Sequence, residues 1–227
     1  MLIQRSILFI CAIAGLVASS CAPLYLPNVT NTPLLTGKGE LQGAVHAGAS
    51  GIDPQFAYAV TDNVGLKLNA SFSCFGEYDN EYPFAEMGAG YFKRLGDNGL
   101  FEIYGGYGYR NLKSAGVLDY YTDEDLYDFS ADLMHFSRFF VQPTVGATSE
   151  YLDVGFTPRF VILSITDDYA RQTGAFFEPS ITAKIGYKYV RIIFQVGAST
   201  SFSQDIPFDY QPLTFSVGIQ ATLNRED

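Results

Sequence analysis

The chain has 227 residues, 48% of them hydrophobic and only 17% charged, with 19 Phe, 16 Tyr and no Trp. That composition excludes a disordered chain, and a formal net charge of −10 argues against a nucleic-acid surface. Beyond residue 20 no apolar run approaches the ~20 residues that a spanning helix needs.

The first twenty residues have the layout of a secretory signal peptide. Arg5 is their only charge, an apolar core runs from Ile7 to Val17, and Ala18, Ser19 and Ser20 close it. Cys21 follows, and this junction resembles the lipobox of bacterial lipoproteins, with Ala18 where that motif usually has Leu. The resemblance implies that Cys21 carries diacylglycerol, whose buried chains contribute about 0.8 kcal/mol per methylene to membrane attachment. Cys74 is then the one thiol left in the mature chain, and no disulfide framework is expected. Residues 21–38, with Pro23, Pro27 and Pro33 among Asn and Thr, read as an extended tether ahead of a folded region at 39–227.

From Gly39 onward the hydrophobic period is two. Between Val64 and Phe75, Val64, Leu66, Leu68, Ala70, Phe72 and Cys74 share one face. Gly65, Lys67, Asn69, Ser71 and Ser73 share the other. Ten such strands are predicted, at 39–48, 52–60, 64–75, 83–93, 100–110, 132–148, 152–164, 176–187, 190–200 and 212–223. The fold class is all-β: an antiparallel up-and-down membrane barrel of about ten strands, most of them near the ~9–11 residues that cross a bilayer at a tilt.

Mid-strand charges all fall opposite the apolar face. They are Lys67, Glu86, Glu102, Arg110, Arg138, Asp153, Arg159, Glu178, Lys184 and Arg191, six positive and four negative. A membrane barrel points these into its lumen, where ions have to be paired, here expected across neighbouring strands. A soluble periplasmic barrel holding a hydrophobic ligand would point them to water, and parity alone does not separate the two. Connection lengths favour the membrane reading. Short turns at 61–63, 94–99, 149–151 and 187–190 alternate with longer loops at 76–82, 111–131, 165–175 and 201–211, and the 48–52 connection breaks the trend by being short. Both ends of the barrel region then fall on the short-turn side, where a periplasmic anchor would sit. Tyr91, Tyr107, Tyr109, Phe139 and Tyr187 suit interfacial belts. Ten strands enclose a bore too narrow for an open channel, filled by side chains.

The segments CAPLYLPNVTNTPLLTGKGELQ (21–42), RFFVQPTVG (138–146) and FFEPSITAKIGYKY (176–189) resemble small outer-membrane β-barrel proteins of Bacteroidetes with lipoprotein-type signal peptides. The resemblance implies an outer-membrane barrel in contact with outer-membrane lipids, and it carries no activity with it. Many bacterial barrels end in an aromatic residue, whereas this chain ends Asn224-Arg225-Glu226-Asp227, so an internal assembly signal is expected within 215–223.

Chemistry-bearing patterns are few. His46 and His135 are the only histidines, too sparse for a metal site, and no cofactor is expected. His135 and Ser137 lie two apart on one strand, the minimum for a base beside a hydroxyl. Their spacing is similar to that of outer-membrane lipid A 3-O-deacylases, but Arg138 follows where that family has Asn. Asp119, Tyr120, Tyr121, Asp123, Glu124, Asp125, Tyr127 and Asp128 form an acidic, tyrosine-rich loop, the expected contact surface for a protein or glycan partner. A structural or surface-interaction role follows, without enzymatic activity.

Overall fold

The computed structural model describes residues 23–72, 83–113, 133–166, 171–203 and 208–225. Its strands are β1 (Leu41–Gly48), β2 (Gly51–Ala59), β3 (Val64–Ser71), β4 (Phe84–Leu95), β5 (Gly99–Lys113), β6 (Leu133–Thr148), β7 (Leu152–Thr166), β8 (Arg171–Tyr187), β9 (Val190–Ala198), β10 (Thr200–Ser201) and β11 (Leu213–Leu223). Each long strand pairs antiparallel with its neighbour in sequence, and β11 returns to pair with β1. The two-residue β10 continues β9 past Ser199 and pairs with β8. The fold is therefore a closed up-and-down barrel of ten long strands, a closure that leaves no sheet edge exposed.

Strand positions match the period-two reading closely, with one shift at the far end of β7 and β8. Thr166 pairs with Arg171, so most of the stretch expected as a 165–175 loop is strand. Arg171, Gln172 and Thr173 are polar on both faces, which erases the alternation that marks a strand. The exceptional 48–52 connection is a tight turn at Ala49 and Ser50, with Gly48 opposite Gly51. Gly51 has φ +113°, which a residue with a Cβ rarely adopts.

Side-chain directions decide between the two barrel readings. Val64, Leu66, Leu68 and Phe72 face outward and are exposed, as are Leu213, Phe215, Val217 and Ile219. Lys67, Glu86, Glu102, Arg138, Asp153, Arg159, Glu178, Lys184 and Arg191 are buried inside, with Arg110 half-buried at the mouth. An apolar exterior around a polar interior is the polarity of a transmembrane barrel, and the reverse of a soluble ligand-binding one. Tyr58, Tyr91, Tyr151, Tyr187 and Tyr189 are exposed near the short turns, with Tyr151 stacked on Tyr187 at 5.4 Å between centroids. Near the longer loops, Tyr107 meets Phe139 and Phe160 meets Phe177 on the same outer surface.

Residues 21–38 are the stretch expected as an extended tether ahead of the barrel. The described part of it is extended but lies inside the lumen. Val29, Leu34, Leu35, Asn28, Thr30, Asn31, Thr32 and Thr36 are all buried. It enters from the loop end, where Tyr25 pairs in parallel with Tyr210, and descends to the turn end before Gly39 feeds β1. Cys21 and the acidic loop from Asp119 to Asp128 lie outside the described residues.

Candidate functional site

The lumen and the strand that fills it form the site. An extended segment has no helix or sheet partner of its own, yet every buried N–H and C=O has to be satisfied. Wall glutamines do this, because a carboxamide donates and accepts at once. Gln195 accepts from Thr30 N at 2.8 Å and donates to Thr30 O at 2.8 Å, mimicking a strand neighbour. Gln55 donates to Val29 O and Gln142 to Asn31 O, each at 2.8 Å. Pro27 and Pro33 reduce the demand, since proline has no N–H to satisfy. Each such bond contributes about 0.5–1.5 kcal/mol.

Layers of charge flank this polar centre. Toward the loop end, Arg138 donates to Glu86, to Asn28 Oδ1 at 2.7 Å and to the Tyr25 hydroxyl at 3.2 Å. Arg159 donates to Glu178 at 2.5 Å and to Asn28 Oδ1 at 3.2 Å, and Tyr25 OH donates to Glu178 at 2.5 Å. Midway, Lys67 donates to Gln142 at 2.6 Å and lies 4.6 Å from the centre of the Phe140 ring. Lower down, Lys184 donates to Pro33 O at 2.8 Å, and Glu102 accepts from Leu35 N at 2.8 Å. At the turn end Asp153 holds Arg191 and, at 2.8 Å, Arg225.

The expectation of pairing across neighbouring strands therefore needs correction. Arg159 and Glu178 are register partners on β7 and β8. Glu86 on β4, by contrast, reaches Arg138 on β6 past β5, and Asp153 on β7 reaches Arg191 on β9 past β8. Long side chains span the narrow lumen, and the central segment supplies partners that no strand count includes. Sequence reasoning missed Gln55, Gln142 and Gln195 as clamps, and Asn28 as a shared acceptor for two arginines. Inward glutamines at mid-strand, combined with a proline-rich N-terminal stretch, were the available signal.

The wall leaves room for the segment through glycines that face inward. A Cβ on Gly146 would come within 2.7 Å of Leu34 Cδ2, and one on Gly65 within 2.8 Å of Leu35 Cδ1. Gly146→Val is expected to destabilise the barrel by about 1–3 kcal/mol through overpacking, while the outward Ala147→Val stays near neutral. The temperature at which the folded gel band converts to the unfolded one measures both.

Near the loop end the lumen becomes apolar. Tyr25, Tyr104, Phe136, Phe140, Val161, Leu163, Ile165 and Phe176 form a cluster, with Leu24, Phe208 and Tyr210 against it. Cavities of about 10 Å³, beside Thr30 and Gln195, and about 40 Å³, beside Tyr25 and Arg138, are found within the lumen. A larger one of about 380 Å³ opens at the turn end, lined by Arg94, Lys188, Arg191 and Arg225.

His135 and Ser137 share the outward face of β6, as the sequence indicates. The His135 ring sits on Tyr109, and its Nδ1 lies 2.9 Å from Tyr109 OH and 2.7 Å from Asn111 Oδ1. Those two side chains, rather than Ser137, are its hydrogen-bond partners among the described residues. His46, the other histidine, is buried in the lumen against Ser216 Oγ at 3.2 Å.

Against known proteins, the sequence matches no family model and no curated protein. Among solved structures the fold is similar to "KdgM porin in complex with disordered oligogalacturonate", with a TM-score of 0.37 and 9% identity over 82% of this chain and 99% of that one.

Proposed function

We propose that the chain is an outer-membrane lipoprotein whose barrel is closed by its own N-terminal segment and whose working surface is the loop end. It acts as a non-conducting, non-enzymatic platform that meets a protein or glycan partner through its loops, the acidic stretch at 119–128 foremost. One observation carries this reading: a mostly apolar outer surface encloses a lumen in which residues 24–36 are bound along their length. A passage for solutes has no room there, and the outer surface suits lipid.

The membrane part is tested by placing a charge on the outer face at mid-strand. Val141 faces outward on β6, opposite Phe160 of β7. Val141→Arg is expected to cost about 2–4 kcal/mol, whereas Leu152→Arg at the turn end costs about 0–1, the depth dependence of a lipid-facing site. Unfolding from detergent micelles or vesicles reads the difference. Equal, small effects at both positions would mean that the surface meets water.

A further inference from the structure

The direction of the lumen segment determines where the mature N-terminus leaves the barrel. At the turn end, Thr36 N donates to Glu40 at 2.6 Å, just before β1 begins. At the loop end, Tyr25 is fixed by its backbone: Tyr25 N donates to Asp209 O and Gln211 N donates to Tyr25 O, both at 3.0 Å. The segment crosses the full height of the barrel between these points. Cys21 is four residues before Tyr25, a reach of at most about 14 Å even fully extended. A hydrocarbon core is about 30 Å thick. Cys21 therefore has no path to the membrane face at the turn end, where Arg225 closes onto Asp153 and Asn224 Nδ2 donates to Gly39 O at 3.2 Å.

We infer that the two ends of the mature chain lie on opposite sides of the membrane, with Cys21 at the loop, cell-surface end and its lipid in the outer leaflet. This rests on the outer-membrane lipoprotein reading above and reverses the periplasmic anchor that strand parity suggests. It also accounts for the one connection that breaks the loop pattern. Leu24 and Tyr25 line the small mouth cavity together with Ser50, which sits in the tight β1–β2 turn. A long loop there would stand between the emerging chain and the surrounding lipid; a two-residue turn leaves a low rim for the lipid to pass.

The test uses intact cells making the full chain with an epitope inserted between Ala22 and Pro23, or placed after Asp227. Antibody is expected to bind the first on intact cells and the second only after the outer membrane is permeabilised. An N-terminal epitope reached only after permeabilisation overturns the inference, as does a C-terminal epitope reached without it. Should the insertion block folding, Pro23→Cys with Cys74→Ser replaces it, read by a membrane-impermeant maleimide. Incorporation of an alkyne fatty acid, lost in Cys21→Ser, is expected alongside. Surface exposure without that label would overturn the leaflet assignment through failure of the lipoprotein reading, while label on a buried N-terminus would overturn it through failure of the threading.

Discussion

Deleting residues 24–36 is expected to turn a silent protein into an ion-conducting one. Purified full-length chain should give no steady current in a planar bilayer. Beside the central segment, the cavities at Thr30 and at Tyr25 measure about 10 and 40 Å³, and a single water already needs ~10–15 Å³. Removing the segment exposes a wall of Gln55, Gln142, Gln195, Lys67, Lys184 and Glu102, all of which hydrate readily. Water then enters, and charge can follow it. The deletion also removes the packing of Leu34 and Leu35, each contributing about 1.5–3 kcal/mol, so the band-conversion temperature should fall as the current appears. A deleted chain that still runs as a folded barrel and remains silent would show that the wall side chains seal the lumen unaided.

The second large effect is expected at Glu86. Its carboxylate pairs with Arg138, lies 3.9 Å from Arg159 and accepts from Asn69 at 2.8 Å, all of them buried. Glu86→Leu takes the close carboxylate partner from the buried Arg138 guanidinium, while Arg159 keeps Glu178, a loss of about 3–5 kcal/mol. Replacing both partners, as in Glu86→Leu with Arg138→Met, is expected to recover much of that loss, because desolvation of the ions disappears together with their attraction. Denaturant unfolding of the two variants in micelles separates the cases. A single-variant loss below about 1 kcal/mol would mean that the interior is hydrated and its charges are screened.

The strands and their two faces were legible because period-two patterning is local. Lys67 is opposite Leu66 and Leu68 whatever the barrel does. Glu86, Glu102 and Arg159 could be placed on the inner face for the same reason. The start of β8 was not legible, since Arg171, Gln172 and Thr173 carry no alternation. The apolar cap inside the loop end was hidden too: Phe160, Val161, Ile162 and Leu163 are apolar on both faces, so parity cannot say which side meets lipid. Charge partners were the hardest to see, because Glu86 and Arg138 meet across an intervening strand.

By itself, the sequence determined an all-β chain with sorted faces, closely placed strands and a set of charges sharing one side. Only the tertiary structure decided that this side is the inside, since alternation is identical in a barrel and in its inverse. It also decided the place of residues 24–36. Their Pro, Asn and Thr look like a solvated linker along the chain. What makes them a lumen strand is the ring of Gln55, Gln142 and Gln195 that satisfies their backbone, and those three residues come together only when the barrel closes.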